Sequence, residues 1–219
     1  MPRFCLKIKP VLYKLVIFDL DGTLSDSFPW FLTVVNTIAD RHGFRRIADA
    51  EIEGLRGKSS REIIRLLRVP VWKLPLIARD MRKLKSQHLS RIPLFPGVEP
   101  TLLRLWSDGL SLALVSSDSE ENVRRALGAG GRYISHYACG ASMFGKAAKF
   151  KTVLKKAKVA ATEAIAIGDE IRDGEAALAA GIAFGAVSWG YATPDALRAL
   201  SPVMEFASVE EIATKLAAI

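Results

Sequence analysis

Cysteine is nearly absent from this 219-residue chain, which holds only Cys5 and Cys139, far apart. That excludes a disulfide framework and fits reduced thiols in a cytosolic protein. Histidine is almost as scarce. His42, His88 and His136 share no spacing that would suit a metal, so they read as surface or core-edge residues. No apolar run approaches the roughly 20 residues that cross a bilayer, so no membrane association is expected. The first ten residues carry Arg3, Lys7 and Lys9 but no continuous apolar stretch, which argues against a signal peptide. A long basic tract is missing too. The net charge of +8, from 31 Lys+Arg against 23 Asp+Glu, is spread over modest groups such as Arg45-Arg46, Arg56/Lys58/Arg61 and residues 146–158. With no nucleic-acid motif, these charges read as solvated helix faces, or as an attraction for small anions. The few aromatics include Trp72, Trp106 and Trp189, which read as packing groups.

What is present is ordinary for a soluble globular enzyme: half the residues are hydrophobic and a quarter are charged. The length allows one good core and a smaller satellite domain. No internal repeat or low-complexity segment is visible.

The apolar run Leu15-Val16-Ile17-Phe18 reads as a buried strand, and Asp19 and Asp21 follow directly, then Gly22 and Thr23. A carboxylate at the edge of an apolar core is costly unless a metal or hydrogen bonds compensate it. Helical spacing follows: residues 29–42, a helix opened by Ser59 with Glu62 in a cap-and-acid arrangement, and residues 70–90, where Pro75 limits the start. From Leu94-Phe95-Pro96-Gly97 onward helices and strands alternate. Helices are expected at 98–107, 120–127, 146–158, 173–180 and 209–218. Strands are expected at 111–115, near 137–139, and at 164–167, 183–187 and 204–207. This alternation implies an α/β fold with a mainly parallel, helix-covered sheet. The core would comprise residues 1–25 and 93–219, and an all-helical insert residues 26–92.

Polar stations then fall at the carboxyl ends of core strands, where open α/β sheets place their chemistry. Asp19 and Asp21 follow the first strand, Ser116-Ser117 the second, and Gly168-Asp169-Glu170 a later one. Lys146 opens a helix, and Asp173 lies four residues past Asp169. Asp19, Asp21 and Asp169 are hard oxygen ligands of the kind that suits Mg²⁺. A carboxylate can attack phosphorus, while Ser116, Lys146 and backbone N–H groups after Asp19 would hold phosphoryl oxygens, with Gly22 and Thr23 as substrate-binding residues. Asp21 is placed for general acid–base work. Ser119 suits a helix cap, and Asp169, Glu170 and Asp173 also suit a helix N-terminus.

The stretch Asp19-Leu20-Asp21-Gly22-Thr23-Leu24-Ser25-Asp26-Ser27 resembles the first motif of the haloacid dehalogenase-like hydrolases, in the branch of phosphoglycolate phosphatase and β-phosphoglucomutase. Ser116, Lys146 and Gly168 through Asp173 resemble the family's later motifs in the right order, so the resemblance spans essentially the whole chain. It implies a Rossmann-like three-layer core with a small helical cap. Asp19 would be the nucleophile and Asp21 the acid/base. Mg²⁺ would be held by the Asp19 carboxylate, the Asp21 backbone carbonyl and Asp169, with Asp173 orienting the metal's water ligands. The chain lacks the Lys-Pro pair common in the third motif, and Lys149 lies one turn beyond Lys146, so either lysine could serve. Ser117 stands where many relatives have Asn. In the cap, Arg56-Gly57-Lys58 would contact substrate or form a charged turn.

The implied activity is a cytoplasmic, Mg²⁺-dependent phosphatase of a small phosphorylated metabolite. A phosphomutase uses the same core residues, and a non-catalytic phosphate-binding protein on this scaffold is the third possibility.

Overall fold

The computed structural model describes residues 13–140 and 145–217. Its centre is a six-stranded parallel sheet in the order β3-β2-β1-β4-β5-β6. The strands are β1 Leu15–Phe18, β2 Ser111–Val115, β3 His136–Ala138, β4 Ala164–Gly168, β5 Ala183–Val187 and β6 Met204–Phe206. Helices α1 Phe28–His42, α2 Ile52–Arg56, α3 Ser60–Leu66 and α4 Leu74–His88 follow β1 as an insert. The core helices are α5 Val98–Ser107, α6 Glu120–Leu127, α7 Lys146–Ala157, α8 Ile171–Ala180, α9 Pro194–Arg198 and α10 Val209–Ala217. The expected α/β fold, with helices inserted after the first strand as a cap, is the fold observed.

The four residues of β1 are completely buried, which is why they form an uninterrupted apolar run. Successive side chains of a strand point to opposite faces. Val16 and Phe18 join the core beneath α5 and α10, while Leu15 and Ile17 join the one beneath α7 and α8. Both faces of the sheet are therefore covered. Two smaller apolar clusters hold the cap: one around Val35, Ile47, Leu55 and Leu67, the other around Trp30, Val34 and Ile92. No described helix is long and apolar enough to cross a membrane.

Register then fixes where chemistry can gather. Phe18 pairs with Leu114 on one side and Ile167 on the other. The next residues out, Asp19, Val115-Ser116 and Gly168-Asp169, thus leave the sheet side by side. The cap departs and returns at neighbouring points. Ser25 bridges Leu94, Asp26 N–H donates to Pro93 O (2.9 Å), and Phe95 N–H donates to Leu24 O (2.9 Å).

Beyond shifts of a few residues at element ends, three differences from the sequence expectation have a local reason. Helix α8 begins at Ile171 rather than Asp173, because the Asp173 carboxylate reaches back to accept from the amides of Asp169 and Glu170 (3.1 Å each). Helix α9 was not expected, although Thr193-Pro194 is a start signal: Thr193 Oγ1 accepts from Ala196 N–H and the proline takes the first turn. Helix α2 is a single short turn that carries too few apolar positions to show a period. The expected cap at Ser59 is present, with Ser59 and Glu62 bonding reciprocally.

Just past β3, burial pushes the Cys139 thiol up to about 11, with the Glu120 charge adding to it. An ordinary thiol near 8.5 is a few per cent thiolate at neutral pH, and this one holds far less. In native protein at pH 7.5, iodoacetamide should therefore label Cys139 about 10²-fold more slowly than in urea-unfolded protein. Peptide mass spectrometry of quenched samples reads the ratio, and equal rates would contradict the buried setting.

Candidate active site

The end of β1 turns sharply, and the turn needs its glycine. Gly22 sits at φ +80, and a Cβ there would lie 2.1 Å from Asp169 Oδ2. Gly190 closes the other side, where a Cβ would lie 2.1 Å from Asp169 Cβ. The Asp169 carboxylate is thus packed between two backbones. Its Oδ1 accepts from Thr23 Oγ1 (2.7 Å) and its Oδ2 from Tyr191 N–H (2.8 Å).

Asp19, Asp169 and Asp173 are all buried, and each offers a carboxylate oxygen within 4.8 Å of the others'. Lys146 lies against them: its Nζ donates to Asp19 Oδ1 (2.6 Å) and to Asp173 Oδ1. Burial raises the Asp19 carboxyl to about 6, against the pull of Lys146 and with the push of Asp173. Asp169 is driven well above the usual carboxylate range by burial, then by the charges of Asp173, Glu170 and Asp19. Burial opposes the Lys146 charge, but Asp173 and Asp19 outweigh it and hold the ammonium above its ordinary value. Arg172, paired with Glu170, is a second cation beside the cluster. Four acids, Asp19, Asp169, Glu170 and Asp173, therefore face two cations, Lys146 and Arg172. A hard divalent cation fits such an oxygen-rich, under-neutralised cluster.

The Asp21 side chain points elsewhere, into the cap. Both its oxygens accept from Lys85 Nζ of α4, at 2.6 and 2.8 Å. The same Nζ lies 2.9 Å from Asp118 Oδ2. Burial pushes the Asp21 carboxyl up, but Lys85 wins and holds it below the usual range.

The remaining expected residues are placed as follows. Ser116 is buried, and its Oγ accepts from Asp118 N–H (3.0 Å). Lys149 lies outside the carboxylate cluster and donates to the carbonyls of Ser116 and Gly140, at 2.6 Å each. The amides of Gly22 and Thr23 are bonded within the turn, to Ser25 O (2.8 Å) and Leu20 O (3.3 Å), so neither is directed at a phosphate. Ser117 and Lys58 line a cavity of about 690 Å³ that runs from Asp21 into the cap. Arg56 also lines it, but its guanidinium donates to Tyr191 O and Gly190 O (3.0 Å each), tying α2 to the core. Ser119 accepts from Asn122 N–H as a helix cap (3.2 Å).

Residues 16–187 match the family of haloacid dehalogenase-like hydrolases. The chain belongs to that family. It is 31% identical over 189 residues to a phosphoglycolate phosphatase of Synechococcus elongatus, covering 85% of this chain and 89% of that one. It is 34% identical over 196 residues to a phosphoglycolate phosphatase of Pseudomonas savastanoi, covering 81% of this chain and 70% of the relative. Among solved structures, a haloacid dehalogenase-like family hydrolase from Streptococcus pneumoniae superposes with a TM-score of 0.76 at 20% identity. That match covers 93% of this chain and 98% of the other. CbbY from Rhodobacter sphaeroides, solved in complex with phosphate, gives 0.71 at 19% identity over 91% and 96% of the two chains. These two structures show the shared fold.

In this haloacid dehalogenase-like hydrolase, three contacts to the site had no signal in the sequence. Lys85 sits in an Arg- and Lys-rich helix that reads as a solvated face. Gly190 and Tyr191 follow β5, beyond any motif, yet they shape Asp169 and anchor Arg56. Tyr191 also meets the cap, through Ser27 Oγ at 3.1 Å and an edge-on contact with Phe28.

Proposed function

We propose that this hydrolase is a Mg²⁺-dependent phosphomonoesterase that acts on a small phosphorylated metabolite through an aspartyl-phosphate on Asp19. The observation that carries the reading is Lys146 set between Asp19 and Asp173, beside the enclosed carboxylate of Asp169. The curated relatives named phosphoglycolate phosphatase support it.

Asp19 and Asp169, with the Asp21 carbonyl, would hold the ion, and Asp173 would orient its water. Mg²⁺ supplies charge that offsets the repulsion between an attacking carboxylate and a phosphate dianion. The chain's own residues do the rest. An Asp19 oxygen attacks phosphorus, and the bond from phosphorus to the leaving oxygen breaks. Asp21 passes its proton to that oxygen. Asp21 then takes a proton from water as the water oxygen attacks phosphorus, and inorganic phosphate leaves with Asp19 restored. Lys146 and Ser116 would steady the phosphoryl oxygens, and Lys146 rather than Lys149 is the lysine within reach of Asp19. Asp21 cannot act as an acid while Lys85 grips both its oxygens, so the first proton transfer requires that grip to loosen. Residues 26–92 are the element that carries Lys85, and hinges near 25–27 and 92–96 would let this cap move.

The test uses p-nitrophenyl phosphate. Turnover with Mg²⁺ should fall at least about 10²-fold in EDTA and return when Mg²⁺ is restored. Absence of Mg²⁺-dependent turnover overturns the reading. A sugar phosphate that isomerises without releasing phosphate replaces it with a phosphomutase.

A further inference from the structure

We infer that the preferred substrates of this site are phosphomonoesters whose leaving group has an extended apolar body, such as a medium-chain alkyl or an aryl group. The inference rests on the phosphatase reading above and names the substrate class it would take.

The cavity described above begins at Asp21, the residue placed to protonate the leaving group, and extends into the cap. A leaving group bound for proton transfer at Asp21 therefore has to enter it. At about 690 Å³ the cavity lies within the range that encloses ligands of drug size, roughly 300–1,000 Å³. The leaving group of 2-phosphoglycolate, a two-carbon acid, would leave most of that space as water against hydrocarbon.

The chemistry of the wall points the same way. Beyond the mouth, its side chains are mainly apolar, with Ile52, Leu55, Ile64, Leu67, Ile77 and Met81 among them. Water gains little against such a wall, whereas each apolar group transferred from solvent into it is favourable.

The charges at the mouth argue against a carboxylate there. Lys85 is matched by Asp21 and Asp118, Arg172 by Glu170, and Arg56 by Glu53 and two backbone carbonyls. A substrate carboxylate would have to displace one of these partners, and it would meet the negative charge of Asp21, Asp118 and Glu170. An uncharged apolar body meets neither obstacle. Lys58 and Arg82 also line the cavity, and 2-phosphoglycolate in the test series reports whether either of them draws a carboxylate.

The test is a homologous series of ethyl, butyl, hexyl and octyl phosphate, with 2-phosphoglycolate alongside, assayed by phosphate release with Mg²⁺. The simple alcohols have similar leaving-group basicity, so chain length is the variable. Each added methylene should raise kcat/KM about threefold to fourfold until the cavity is filled. Hexyl phosphate should then exceed ethyl phosphate by about 10²-fold and should also exceed 2-phosphoglycolate. Ile64→Phe, which shortens the cavity from a partly exposed position, should lower the octyl-to-ethyl ratio at least about tenfold. If that variant does not fold, the wild-type series decides alone. A flat series, or 2-phosphoglycolate preferred over hexyl phosphate, overturns this inference and leaves the phosphatase reading intact. No Mg²⁺-dependent turnover of any ester overturns both.

Discussion

Asp19→Asn should reduce kcat/KM for any phosphomonoester by at least about 10⁴-fold, because removing a nucleophile takes away every interaction routed through its covalent intermediate. The amide keeps the shape of the carboxylate but has no negative oxygen with which to attack phosphorus. The variant should nonetheless fold well. In the metal-free protein the Asp19 carboxyl titrates near 6, raised first by burial, so at pH 7.5 folding has to accommodate an ionised group that prefers water. The sign follows from linkage. An acid with a raised folded pKa binds its proton more readily in the folded state, so its destabilising effect is full above about 6 and fades as pH falls toward the unfolded value. Asn carries no such charge. In EDTA, Asp19→Asn should therefore melt no lower than wild type at pH 7.5, and any advantage should shrink by pH 5. Paired thermal melts at the two pH values, with a p-nitrophenyl phosphate assay, check both halves. Turnover like that of wild type would remove Asp19 from the chemistry.

The core was legible because two simple patterns coincide in it. Burial on both faces makes Leu15 through Phe18 a continuous apolar run, and the later strands alternate with helices of clear period. Together they imply a parallel sheet, and a parallel sheet brings its carboxyl ends together. Asp19, Ser116 and Asp169 could thus be placed near one another without coordinates. Short elements escaped for the opposite reason. Helices α2 and α9 are single turns with too few apolar positions to show a period, and α2 is held at its Arg56 end by the distant Gly190 and Tyr191 carbonyls. The site's second ring of contacts was illegible for a related reason. Nothing local distinguishes Lys85 from Arg82 or Lys83, and only the docking of the cap decides which of them is buried. The amides of Gly22 and Thr23 illustrate the limit of a motif: it places the residues at the site, but the turn's own hydrogen bonds decide which groups remain for substrate.

Lys85→Met should destabilise the protein by about 3 kcal/mol, and the reason is what it leaves behind. In wild type one buried ammonium serves two carboxylates, Asp21 at 2.6 Å and Asp118 at 2.9 Å. Asp118 has only 3% of its surface exposed, so without Lys85 its charge has neither water nor a cation. Removing one partner of a buried pair usually costs far more than replacing the whole group with apolar residues, because the surviving charge is stranded. For a chain of this size the expected fall in thermal midpoint is about 6–12 °C. Asp118→Asn added to Lys85→Met should recover a good part of the loss, because the stranded charge is then gone. Thermal melts of the two single variants and the double variant close the cycle. A Lys85→Met midpoint within about 1 °C of wild type would mean that the ammonium contributes no net stability. An additive double variant would mean that the two carboxylates do not share it. The coupling also bears on function. The lysine that joins α4 of the cap to Asp118 of the core is the one that grips both oxygens of Asp21. Tight docking of the cap and a protonated, acid-competent Asp21 are therefore opposed, and a substrate that reaches Asp21 has to compete with Lys85 for it.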